Sequence, residues 1–229
     1  MFVSIPSRER PGVRWATPLL FTALWAAFLW QSLAAPDAHA GLLHEWGALS
    51  GALVDLHAWR SFEPGGALRL VTALFLHADW THLLGNLVFL LIFGLPAEKA
   101  MGSLRFLALF VLGGAAANLA AVASIDTPDR IIIGASGAVS AVIGAYLALF
   151  PTAKLGLVLP LGLFLQFVRA PAPLLIGIWA VLQVVFTFIG PAFGAVAWVA
   201  HIAGFGFGVV FALVAKAGIA RRLRKQRGF

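Results

Sequence analysis

The chain has no cysteine and little charge, with Asp, Glu, Lys and Arg making up only 11% of its 229 residues. Without cysteine there is no disulfide framework and no thiolate or zinc–thiolate site. Soluble domains are roughly a quarter charged, so this composition excludes a soluble enzyme, a secreted domain and a disordered tail. Apolar sequence fills the space: 61% of residues are hydrophobic and the mean hydropathy is +0.95. Uncharged stretches run from Trp15 to Pro36, Trp80 to Ala97, Phe106 to Ile125, Ile131 to Ala153 and Ala170 to Ala215. Each is long enough to cross ~30 Å of hydrocarbon, and the last is long enough for two crossings. The composition reads as an integral membrane protein.

The formal net charge of +7 is a topology signal rather than a binding surface, because of where the charges fall. With a cytoplasmic start and six crossings, the inner segments hold 13 of the 16 basic residues: Arg8, Arg10, Arg14, Lys99, Arg105, Lys154, Arg169, Lys216, Arg221, Arg222, Arg224, Lys225 and Arg227. The outer segments keep Arg60, Arg69 and Arg130 with seven of the nine acids, namely Asp37, Glu45, Asp55, Glu63, Asp79, Asp126 and Asp129. The positive-inside rule then places both termini in the cytoplasm. The basic tail reads as an anchor near anionic lipid, so no nucleic-acid partner is expected.

Two segments admit a second reading. Ala38-His39-Ala40, after an apolar run and upstream arginines, matches a signal-peptide cleavage site. The run from Trp15 to Ala35 is 21 residues and contains Trp25 and Trp30, which favours a retained first span. Leu155 to Val168 is apolar but interrupted by Pro160 and bounded by Lys154 and Arg169. Counted as a crossing it would put the basic tail outside, so it is expected to be a buried or interfacial, turn-containing segment on the cytoplasmic side.

The expected layout is a cytoplasmic tail over 1–14, a membrane domain over 15–217 and a basic cytoplasmic tail over 218–229. Spans are expected at about 15–35, Thr81 to Leu95, Leu104 to Ala123, 136–150, 171–189 and 195–217, with an outer loop of about 45 residues after the first. Gly190-Pro191 separates the last two. Apolar residues mixed with Glu45, Asp55 and Arg69 suit that outer loop to the membrane interface. A compact six-span chain with short tails points to a bacterial cytoplasmic membrane; no oligomeric state is implied.

Polar groups inside spans are costly and therefore informative. Ser136 stands in Gly134-Ala135-Ser136-Gly137 at the start of the fourth span, where the glycines allow a sharp turn. A helix start also leaves N–H groups free for an oxyanion. His201, in Ala200-His201-Ile202-Ala203-Gly204, lies roughly 9 Å into the sixth span. His82 and Asn86, at i and i+4, share one face of the second. A serine hydroxyl needs a base, and a neutral imidazole suits that work near neutral pH. Ser136 and His201 make such a pair, with His82 and Asn86 as oxyanion donors. No acid lies inside a span to complete a Ser-His-Asp triad, so the pair would be a dyad. A packing reading stands beside this one, since Gly134 to Gly137, Gly137 to Ala141 and Gly204 to Gly208 are small residues at helix-contact spacing. A metal site from His77, His82 and His201 would lack a carboxylate in a span, and no His-Glu-x-x-His occurs, so no metal and no cofactor is expected.

Phe75-Leu76-His77, His82-Leu83-Leu84-Gly85-Asn86, Gly134-Ala135-Ser136-Gly137 and Ala200-His201-Ile202-Ala203-Gly204 with Gly208 together resemble the rhomboid family of intramembrane serine proteases over about residues 65–215. The resemblance implies an all-α, six-transmembrane-helix bundle with a long outer loop between the first two helices. It also implies Ser136 as nucleophile, His201 as base, His82 and Asn86 at the oxyanion hole, a structural His77, and Glu98 near Gly102 closing the second helix. Its expected partners are transmembrane protein substrates and the bilayer. Leu68-Arg69 stands where members often carry Trp-Arg, and Ser140 where they carry an aromatic beneath the histidine; a hydrogen bond from Ser140 is expected to substitute. Some relatives lack the dyad and bind membrane clients, which makes an inactive client-binding protein the alternative to a protease.

Overall fold

The computed structural model describes residues 13–50, 64–125, 130–161, 164–189 and 198–226. Arg8, Arg10, Asp55, Arg60, Glu63, Asp126, Asp129, Arg227 and the Gly190-Pro191 break lie outside them. The described chain forms a helical bundle in which three helices are long and apolar enough to cross a membrane: Trp80–Met101, Ser103–Ser124 and Trp198–Arg224. The protein is a multi-pass integral membrane protein.

Helix α1 (Ala16–Ser32) buries Ala16, Leu20, Leu24 and Phe28, one residue per turn, and turns Leu19, Leu29 and Trp30 outward. Its first turn is held by Glu98. This fully buried carboxylate accepts from the N–H groups of Ala16 and Thr17 at 2.9 Å each, and from the Ser103 hydroxyl. A carboxylate at a helix N-terminus satisfies donors that have no intrahelical partner and meets the positive end of the helix dipole. Left unpaired in the core, each such N–H would cost about 1–3 kcal/mol.

The segment expected as an outer loop contains regular structure. Helix α2 (Pro36–Trp46) includes Ala38-His39-Ala40, strand β1 (Ala48–Leu49) follows, and helix α3 (Pro64–Thr72) runs into a 3-10 turn at Ala73–Phe75. Pro36 suits the first turn of α2, where its missing N–H is not needed. Helix α4 (Trp80–Met101) begins at Asp79, whose carboxylate accepts from the His82 N–H at 2.8 Å. It runs past the expected end at Leu95. A π-helical turn at Leu90–Gly94 precedes Pro96, and the proline falls at the start of a fresh α segment, Leu95–Met101, where its missing N–H is tolerated. Gly102, at φ +86°, turns the chain into α5 (Ser103–Ser124).

Helix α6 (Ser136–Leu149) is the centre of the bundle, with every residue from Gly137 to Tyr146 buried. Helices α7 (Ala172–Ile189) and α8 (Trp198–Gln226) complete it. Helix α8 continues to Gln226, so residues 218–226 of the basic segment are helical.

The structure is mostly helical, and two antiparallel ladders stand beside the helices. Strand β1 pairs with β2 (Ile131–Ile132), and β3 (Lys154–Leu161) pairs with β4 (Phe164–Pro171), with Lys154 opposite Pro171. The second ladder is the ambiguous apolar segment. Its register returns the chain to the end from which it left, and the Ala172 N–H closes it by donating to the Ala153 carbonyl at 2.8 Å. A hairpin that returns in this way makes no helical crossing of its own. Because nearly every position from Leu155 to Val168 is apolar, the alternation that marks a half-buried strand is missing from the sequence.

Candidate active site

Ser136 opens α6 at the end of a turn that favours glycine. Gly134 has φ +111°, a conformation that side-chain-bearing residues rarely adopt, and its N–H donates to the Ala73 carbonyl at 2.8 Å. A Cβ on Gly134 would lie 2.5 Å from the His82 ring. The His82 imidazole therefore packs directly on the backbone that presents the serine.

Helix α8 brings His201 to the same point. Its Nε2 lies 2.9 Å from the Ser136 Oγ, and its Nδ1 lies 2.7 Å from the Gln183 Oε1 on α7. Helices α6 and α8 approach closely because Gly204 carries no side chain, since a Cβ there would strike the Gly137 carbonyl; Gly137 in turn lets α5 approach α6, since a Cβ on it would lie 2.6 Å from the Ala117 Cβ. Helix α4 supplies the facing wall. The Asn86 Nδ2 donates to the His82 carbonyl at 3.0 Å, and the His82 Nδ1 accepts from the Ala78 N–H at 3.5 Å. In a neutral ring that acceptor role leaves the proton on Nε2, the nitrogen near Gly134.

A cavity of about 260 Å³ joins these groups, lined by Thr81, His82, Asn86, Ser136, Ser140, Gln183 and His201, with Phe89, Val139, Ile143 and Trp179 as its apolar walls. The sequence-derived set Ser136, His201, His82, Asn86 and Ser140 thus meets around one space. Ser140 does not reach the histidine: its hydroxyl donates to the Ser136 carbonyl one turn back, at 2.7 Å. The expected hydrogen bond exists but is spent within α6, and Trp198 is the aromatic ring edge-on to His201, at 5.9 Å. Gln183 is the site residue that sequence reasoning missed. Its signal was available, as a polar side chain inside the long uncharged run from Ala170 to Ala215.

His77 lies behind the cavity, fully buried. Its Nε2 accepts from the Ala135 N–H at 3.4 Å, its backbone is bracketed by the Gln31 side chain on α1, and its ring stands edge-on to His82 at 5.0 Å. Burial pushes its pKa down from 6.5 to about 4, with the His82 charge adding to the effect against smaller raising contributions from the Phe75 backbone and Asp79. A pKa lower in the folded than in the unfolded state means that acid protonates the unfolded chain first. The stability contributed by neutral His77 is complete above pH 6.5 and lost as pH falls towards 4. At about 1.4 kcal/mol per pKa unit, the loss is on the order of 3 kcal/mol. Thermal unfolding of detergent-solubilised protein is expected to show this acid slope, and His77→Asn to flatten it. Identical slopes would place the acid sensitivity elsewhere.

Comparison with known proteins adds the family context. A family model described as a rhomboid domain matches residues 64–217. The chain is 32% identical over 106 residues to RHOMBOID-like protein 5 of Arabidopsis thaliana, covering 46% of this chain and 32% of that protein. It is 35% identical over 80 residues to Rhomboid-related protein 2 of Mus musculus (35% of this chain, 26% of that one). It is 39% identical over 80 residues to Rhomboid-like protease 3 of Toxoplasma gondii (35% and 30%). The matches span roughly a quarter to a third of the length of these relatives.

Proposed function

We propose, from the premise that this chain belongs to the rhomboid family, that it is an intramembrane serine endopeptidase that cleaves membrane-protein substrates in or near their transmembrane segments. The observation that carries the reading is the 2.9 Å approach of the His201 Nε2 to the Ser136 Oγ at the edge of a cavity of about 260 Å³. In this reading His201 takes the hydroxyl proton as Ser136 attacks the scissile carbonyl. The oxyanion develops at the start of α6, where helix N–H groups point outward, opposite the His82 Nε2–H and the Asn86 amide. Collapse expels the amine with the proton from His201, and water activated by the same imidazole hydrolyses the acyl-enzyme. A helical substrate hides its carbonyls in hydrogen bonds, so small or helix-breaking residues are expected near the cut.

The crossings in this reading are α1, α4, α5, α6, α7 and α8, six in all, with the membrane domain over 15–217 and both termini in the cytoplasm of a bacterial cell. Helix α7 and the segment 190–195, which lies outside the described residues, are the elements through which a substrate would reach the cavity. The test is a fluorophosphonate probe on purified, detergent-solubilised protein. Labelling of the native chain and none of Ser136→Ala or His201→Ala is the expected result. A folded native chain that stays unlabelled would sink the hydrolase reading.

A further inference from the structure

We infer that Gln183 is a positioning residue that selects the tautomer and ring orientation of His201, an inference that rests on the hydrolase reading above. A neutral imidazole has one protonated nitrogen, and the two tautomers differ in which one it is. Only one of them can act as the base for Ser136, because the Nε2 facing the serine must carry the lone pair. The Gln183 Oε1 lies 2.7 Å from Nδ1, and a carbonyl oxygen can only accept. That contact keeps the proton on Nδ1 and leaves Nε2 as the acceptor, 2.9 Å from the Ser136 hydroxyl.

The bond is well protected. Gln183 is 7% exposed and lies on α7, whereas Ser136 and His201 come from α6 and α8. The three groups stay in line only while all three helices are packed together. A neutral amide also suits the location: an ionised carboxylate inside a span is costly, while an amide dipole can still face the Nδ1–H when His201 becomes imidazolium. The effect should be smaller than that of a triad aspartate, which supplies a full counter-charge.

The test replaces Gln183 by its apolar near-isostere, Gln183→Met, and by a side chain that keeps the acceptor oxygen, Gln183→Glu. For cleavage of a single-span substrate in liposomes, Gln183→Met is expected to lower kcat roughly 10- to 100-fold, by analogy with loss of the outer partner of a metal-bound histidine, with KM changed less than about 2-fold. Gln183→Glu is expected to recover most of the lost kcat. A purely packing role would reverse the order, since methionine fills the same volume without adding charge. A Met variant at native kcat, or a Glu variant no better than Met, overturns the inference. A second readout does not need turnover: nitrogen NMR of labelled His201 should show protonated Nδ1 in the native chain and loss of that preference in Gln183→Met. Unchanged spectra would overturn the inference even in an active enzyme. Absence of Ser136-dependent probe labelling would instead sink the hydrolase reading, leaving the spectra to decide Gln183.

Discussion

Replacing Ser136 by alanine is expected to lower substrate cleavage by at least about 10³-fold, with the thermal midpoint little changed. The hydroxyl is half-buried and makes one contact that matters, to His201, so its removal empties part of an existing cavity rather than opening a void in the core. His201→Ala is expected to cost a similar factor, because an unassisted serine hydroxyl is a poor nucleophile near neutral pH. The informative variant is the double one. If the two side chains act as one unit, Ser136→Ala with His201→Ala is no slower than Ser136→Ala alone. Losses that multiply, or substantial turnover left in Ser136→Ala, would mean that the 2.9 Å approach is only a packing contact between α6 and α8. Liposome assays with product masses determined for all four chains separate these outcomes, since the product mass also identifies the bond cut.

How far such a site can be read from sequence depends on how each residue announces itself. Ser136, His201, His82 and Asn86 are polar groups in apolar spans, and each lies within a few residues of glycine, so their convergence was legible. The limits of α5, expected at Leu104 to Ala123 and found at Ser103–Ser124, followed from an uninterrupted apolar run between polar ends. Gln183 carries the same polarity signal, but its partner on α8 is 18 positions away beyond the Gly190-Pro191 break, and nothing local indicates that they meet. The β3–β4 hairpin was illegible for a different reason, because apolar residues on both faces erase the two-residue period. The far end of α4, expected at Leu95 and found at Met101, was illegible for a third reason. A π-helical turn at Leu90–Gly94 restarts the helix just before Pro96, so the proline sits in a first turn and α4 continues to Glu98, where the carboxylate holds α1. In each of these cases the missing information was a long-range contact or a local backbone adjustment.

The second large effect tests the close approach that holds the site together. Helix α8 presents Gly204 to α6 and Gly206 away from it. A Cβ on Gly204 would collide with the Gly137 carbonyl and lie 3.4 Å from the Ala117 Cβ, whereas a Cβ on Gly206 would meet nothing within 4 Å. Gly204→Val is therefore expected to push α8 off α6 and to destabilise the fold by about 3 kcal/mol or more, because the obstacle is backbone and cannot rotate aside. His201 lies less than one turn before Gly204, so the same displacement carries its imidazole away from Ser136, and cleavage should fall with stability. Gly206→Val, which adds the same volume to the same helix two residues on, is expected to change stability by no more than about 0.5 kcal/mol and to leave turnover intact. The pair controls for helix propensity, since both substitutions replace glycine by the same β-branched residue within one helix. Equal tolerance at the two positions, read by thermal unfolding and by cleavage rate, would show that α6 and α8 are not in backbone contact. The Ser136–His201 geometry would then need another support.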